Sequence, residues 1–183
     1  MLFQIVKDLI KRPSRNEPGK SSLEILETAQ RYFRTGEIRL AIPSFRRYLE
    51  ANPFDVGALN DLGCCLAIVG DDAEASALFE KAFSLDDSYI PAAINHAKNL
   101  ADRQLSAQAM PYLAHAKLYS PNFCATDSVL ASILLSRGLT SRARAHARRA
   151  WLASFDDLRL ANCYLLYTAY DDIDELELAA EHR

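Results

Sequence analysis

Ala41, Ala75, Ala109 and Ala143 recur at a constant step of 34 residues, and no other feature of the chain limits its possible folds as tightly. The same step joins Tyr48, Ala82, Ala116 and Ala150, and it joins Phe45, Phe79 and Leu113. Gly36 leads to Gly70 and, two steps later, to Gly138; Pro53 and Pro121 are also two steps apart. Alanine alone is abundant enough to coincide by chance. Small, bulky, turn and closing positions sharing one register are not. A fixed period of this length marks an array of supersecondary units, each of which buries its apolar face against its neighbours.

In this register the units run from Ser22 to Asp55, Val56 to Tyr89, Ile90 to Phe123 and Cys124 to Asp157, each expected as a helix pair. The second unit carries Leu59, Leu62, Gly63 and Leu66 on its first helix, Gly70 at the turn, and Ala75, Phe79 and Ala82 on its second. A unit of this length, with two small positions around a large one, a turn glycine and a closing proline, resembles the tetratricopeptide-repeat (TPR) family. The third unit departs at the turn, where Gln104 replaces Gly, and has His96 in place of Leu. The fourth has Ala147 at the large position and Phe155 in place of the closing proline. The resemblance implies an all-α, right-handed TPR superhelix, an α-solenoid of antiparallel helix pairs. First helices would line its concave face, where a partner protein or peptide would bind.

Residue size explains the pattern. Gly63 and Ala75 are small where paired helices cross closely, and Phe79 fills the gap towards the next unit, so enlarging Ala75 or Ala109 would overpack the contact. Gly36, Gly70 and Gly138 fall where a helix ends and a left-handed residue is least costly. Ser21 with Glu24 reads as a capping box, Asp71 with Glu74 as an acidic helix start, and Ser120-Pro121 as a cap followed by Pro at the first helical position. Pro43 and Pro111 share one repeat position inside the second helix, where a lost hydrogen bond is expected to bend it.

The flanks differ. Met1 to Arg12 (MLFQIVKDLIKR) has apolar residues at helical spacing, too few to span a bilayer of roughly 30 Å. Residues 1–21 therefore read as an amphipathic helix and a linker, the linker being RPSRNEPGKS from Arg12 to Ser21. Residues 158–183 read as a divergent fifth pair or a cap, because one further step from Ala143 falls on Glu177. A second copy of the chain could pair through the Met1 helix or the array ends.

Composition sets limits on function. A net charge of −3, from 21 basic and 24 acidic residues, offers no global field for nucleic acid or anionic membranes. Cys64, Cys65, Cys124 and Cys163 lack the C-x-x-C spacing of a zinc or redox site, and a reducing cytoplasmic setting is expected. G-x-S-x-G, P-loop, G-x-G-x-x-G and H-E-x-x-H are all missing from the sequence, and the four histidines are scattered. The expectation is a chain with no catalytic residues, no metal and no cofactor.

By repeat position the groove residues are Glu27 and Gln30, then Asn60, Asp61 and Cys64, then Asn95, Lys98 and Asn99, then Asp127 and Ser128. Asparagines in a groove can clamp a peptide backbone, since a carboxamide both donates and accepts. This is similar to the asparagine ladder of O-GlcNAc transferase TPRs, of which Asn95 alone matches; Glu27, Asp61, Val129 and Cys163 stand at the other ladder positions. The carboxylate clamp of co-chaperone TPRs is unmatched, with Leu26, Gln30, Asp61, Pro91 and Asn95 at its places. Arg137, Arg142, Arg144, Arg148 and Arg149, with His146, form a basic patch that reads as a solvated face or as a docking site for an acidic segment.

Leu165 to Arg183 (LLYTAYDDIDELELAAEHR) carries a second resemblance. It looks like the junction between TPR array and catalytic half in bacterial O-GlcNAc-transferase/SPINDLY-like glycosyltransferases, through Tyr170, Asp171, Ala180, Glu181, His182 and Arg183. That resemblance implies the acceptor-recognition part of a protein glycosyltransferase. The alternative is a free-standing TPR adaptor, secretion chaperone or assembly scaffold.

Overall fold

A computed structural model of the chain describes residues 21–154 and 157–169. The Met1 helix, most of the linker and the Tyr170–Arg183 stretch lie outside the described residues. The described residues hold nine helices and no strand: α1 Ser22–Arg34, α2 Ile38–Ala51, α3 Val56–Ile68, α4 Asp72–Leu85, α5 Ile90–Asp102, α6 Ser106–Tyr119, α7 Cys124–Ser136, α8 Thr140–Ala153 and α9 Leu158–Ala169. First helices begin at residues 22, 56, 90, 124 and 158, and second helices at 38, 72, 106 and 140, steps of 34 throughout. The sequence period is therefore also the period of helix starts.

All four intra-pair turns close in one way. After α1 the amide of Gly36 donates to Phe33 at 3.1 Å and that of Glu37 to Tyr32 at 2.8 Å, the two bonds of a Schellman cap. Gly70 and Asp71, Gln104 and Leu105, and Gly138 and Leu139 repeat the arrangement. The cap requires a left-handed residue, with φ 79° at Gly36, 84° at Gly70 and 73° at Gly138. Gln104 adopts it too, at φ 64°, against the steric cost of its Cβ. Gln104→Gly is accordingly expected to raise stability by about 0.5–1 kcal/mol, seen as a higher thermal midpoint. A lower midpoint would mean that the Gln104 side chain contributes more than its backbone strain costs.

Helix starts are less uniform than the sequence suggests. Ser21 and Glu24 form the full capping box, Ser21 N donating to Glu24 Oε2 at 2.8 Å and Glu24 N to Ser21 Oγ at 3.3 Å. Asp71 makes no side-chain cap; Glu74 is instead paired with Arg46 of α2 through both carboxylate oxygens, at 2.9 and 2.7 Å. Ser120-Pro121 does not open a helix either. Ser120 ends α6, its amide donating to Ala116, and α7 begins three residues after Pro121 behind Phe123. Asp55 caps the next first helix, α3, accepting from Ala58 N at 2.9 Å and from the Tyr48 hydroxyl at 2.7 Å. Pro43 and Pro111 occupy the same place in α2 and α6, and both helices continue through them.

The chain divides into two compact units, Met1–Asn99 and Leu100–Arg183. In the first, Ala29, Ala41, Phe45, Leu62, Cys65, Leu66, Ala75 and Phe79 form one buried cluster, with Phe33 edge-on to Phe45 at 6.5 Å. A Cβ built on Gly63 would meet Phe79 Cε1 at 2.6 Å, closer than carbon atoms can approach, so the glycine is what lets α3 and α4 cross there. Leu59, Ala82 and Ala92 make a second cluster linking α3, α4 and the start of α5.

In the second unit Ala131, Ala143, Ala147, Tyr164 and Tyr167 pack together, with Trp151 stacked on Tyr164 at 5.3 Å. Ala147 occupies the large-residue position of its repeat, and the aromatic rings of α8 and α9 supply the missing volume in that cluster. This is why the fourth unit tolerates a departure from the repeat pattern.

Candidate protein-binding site

Because first helices start one period apart, residues separated by 34 stand at equivalent places on α1, α3 and α5. Glu27, Asp61 and Asn95 form one such row, and Gln30, Cys64 and Lys98 the row one helical turn further on. Glu27 and Lys98 are exposed; Gln30, Asp61, Cys64 and Asn95 are half-buried. Here the first unit brings polar side chains together across neighbouring repeats.

Asn95 Nδ2 donates to Asn60 Oδ1 at 2.8 Å and to Cys64 Sγ at 3.3 Å, and Asn60 Nδ2 donates to Asp61 Oδ1 at 3.4 Å. Asn60, only 5% exposed, is the hinge of this chain of bonds. Burial raises the Asp61 carboxyl above the ordinary carboxylate range, and the bond from Asn60 offsets this only in part. Cys64 and Cys65 are both pushed up to about 12, mainly by burial, which keeps them as thiols rather than thiolate nucleophiles near neutral pH.

Two of the expected groove residues turn inwards. Asn99 is 4% exposed and donates to Asp72 Oδ1 of α4 at 3.2 Å, so its amide holds α4 against α5. Asp127, also 4% exposed, accepts from Lys117 Nζ of α6 at 2.6 Å and lies 2.7 Å from His146 Nδ1 of α8. Arg149 stands 3.7 Å from the same carboxylate and bonds to the His146 ring. Burial alone would raise Asp127's carboxyl, but the bonds from Lys117 and His146 and the charges of Lys117 and Arg149 hold it below the ordinary range. This is a pin joining α6, α7 and α8. Asp72 and Lys117 were not legible as partners, since one period fixes where a residue sits along its helix and not what it meets across the gap. Ser128, beside Asp127, is half-buried.

Of the basic patch, Arg137 follows α7, while Arg142, Arg148 and Arg149 are exposed on α8 and Arg144 is half-buried. Arg149 is partly committed to the Asp127 pin. His96, expected to be a packing residue, is buried with Nε2 3.0 Å from Ser76 Oγ. Among the described residues no helix is long and apolar enough to cross a membrane, and no group of three or more His, Cys, Asp or Glu could hold a metal ion.

No protein-family model and no curated protein sequence matches the chain. Solved structures do. MamA 41-end from Desulfovibrio magneticus RS-1 superposes with a TM-score of 0.68 at 18% identity, covering 90% of this chain and 92% of that one. The Cut9-Hcn1 hetero-tetramer of the APC/C gives 0.71 at 18% identity, over 80% of this chain and 30% of that chain. The K341M O-GlcNAc transferase mutant from Thermobaculum terrenum gives 0.65 at 21% identity, over 71% of this chain and 25% of that chain. On this likeness and on its own helix period, the chain has a tetratricopeptide-repeat-like fold, all-α and built of antiparallel helix pairs.

Proposed function

We propose that the chain is a protein-binding module which holds an extended segment of a partner along its first helices, as the acceptor-recognition part of a bacterial protein O-glycosyltransferase. The observation that carries the binding reading is the Asn95–Asn60 bond at 2.8 Å, which joins the polar faces of α3 and α5 into one lateral surface. A flexible polar face would cost ordering entropy on binding; one already fixed by internal bonds does not. Groups that transfer sugar would lie outside these residues, and the chain itself performs no chemistry. Likeness to the Thermobaculum terrenum O-GlcNAc transferase, of which it spans 25%, supports the glycosyltransferase context, as does the resemblance of Leu165 to Arg183.

A second reading, a free-standing adaptor or assembly scaffold, is favoured by the nearly complete mutual coverage with MamA, 90% and 92%. Both readings share the binding face. A photo-crosslinking residue placed at Glu27 or Lys98 is expected to capture a defined protein from native lysate, whereas one at exposed Ser84 on α4 is not. Equal capture from both faces would remove the binding-face reading. Sequencing the coding region beyond Arg183 separates the two contexts: a nucleotide-sugar-binding domain there excludes the adaptor, and an immediate stop codon excludes the glycosyltransferase.

A further inference from the structure

We infer that the Glu27–Asp61–Asn95 row on the first helices of Met1–Asn99 offers acceptors only, and so takes a segment that presents one isolated lysine or arginine to it rather than a peptide backbone clamped in both directions. The inference rests on the protein-binding reading above and names the partner's chemistry.

Its basis is the direction of the hydrogen bonds, which Asp61 fixes. An ionised carboxylate accepts and cannot donate, so Asn60 must turn Nδ2 towards it, at 3.4 Å. Asn60 Oδ1 is then left facing Asn95, which must answer with its own Nδ2, at 2.8 Å. The second hydrogen of that NH2 group goes to Cys64 Sγ at 3.3 Å. A carboxamide has two N–H donors, and both on Asn95 are now committed within the array. Flipping either amide would set oxygen against oxygen.

What remains for a partner is the Asn95 carbonyl oxygen, the Asp61 carboxylate and, one period before it, the exposed carboxylate of Glu27. Among the described residues no cation pairs with Asp61 or Glu27. A backbone clamp needs a donor for the peptide C=O, and this row has none. A guanidinium or ammonium needs only acceptors, and Asp61, half-desolvated by α3 and α5, attracts one more strongly than a solvated carboxylate does. Lys98, one turn from Asn95, opposes a run of positive charge, which limits the partner to a single cationic anchor.

The test uses the full chain, immobilised, and a degenerate library of acetylated, amidated decapeptides without cysteine. The expected result is enrichment of peptides with one Lys or Arg. Replacing that residue by norleucine should weaken binding about tenfold, the scale of a charge-assisted hydrogen bond. Asp61→Asn should abolish the cation preference, and Glu27→Gln, at an exposed position, should reduce it. Retention of peptides with no cation preference, or a preference untouched by both variants, overturns this inference and leaves the protein-binding reading standing. Retention of no peptide overturns both.

Discussion

Phe79→Ala is expected to be the most damaging single substitution in the first unit, costing about 3–5 kcal/mol. Phe79 is 2% exposed and lies over Gly63, which has no Cβ to move into the space a smaller residue would leave. Gly63→Leu is the converse change and should cost about 3 kcal/mol, since even its first carbon would sit 2.6 Å from the ring. Gly63→Ala should be milder, near 1 kcal/mol, because alanine's better helix propensity returns part of the steric cost. The first repeat already carries that combination, with Ala29 and Phe45 both buried in one cluster. The decisive measurement is the double variant Gly63→Leu/Phe79→Ala in urea unfolding followed by circular dichroism. Its loss should be smaller than the two single losses added, by at least about 1 kcal/mol, because leucine then fills the void. Simple additivity would show that the two residues do not share one packing site.

Asp127→Ala is expected to lower the stability of the second unit by about 2–3 kcal/mol. Removing one partner from a buried ion cluster typically costs about 3–5 kcal/mol, because the remaining charges lose their compensation. The lower figure applies here because the side chains of Lys117 and Arg149, 33% and 56% exposed, can turn back to water. The pH dependence has a definite sign. Asp127's carboxyl is held below its unfolded value of about 3.9, so its contribution is complete above that pH and is lost as pH falls through the folded value. The gap between wild type and Asp127→Ala should therefore close in the acid range below about pH 4. A gap that stayed open there would mean that the carboxylate is not held below its unfolded value by Lys117, His146 and Arg149.

The first-helix row and the Asp127 pin show how differently two sets of polar residues can be read from one sequence. Glu27, Asp61 and Asn95 were legible as a row because they share a repeat position on first helices, and the helices start where the period places them. Asn99 and Asp127 were read into the same surface by the same logic, yet both are buried and bonded to Asp72 and to Lys117, His146 and Arg149. The Ser120-Pro121 cap failed for a related reason. The local signal was genuine turn chemistry, but the preceding helix used Ser120 as its end before α7 could use it as a start.

Taken alone, the sequence determined the helix pairs, their 34-residue step, the crossing at Gly63 and the left-handed turns, because each depends on side-chain size or backbone freedom at a position along one helix. Only the tertiary structure decided which polar groups are spent inside and which way the Asn95–Asn60–Asp61 bonds run. Those outcomes depend on distances across the gap between helices, where a shift of about 1 Å makes or breaks a hydrogen bond, and a linear period carries no information at that scale.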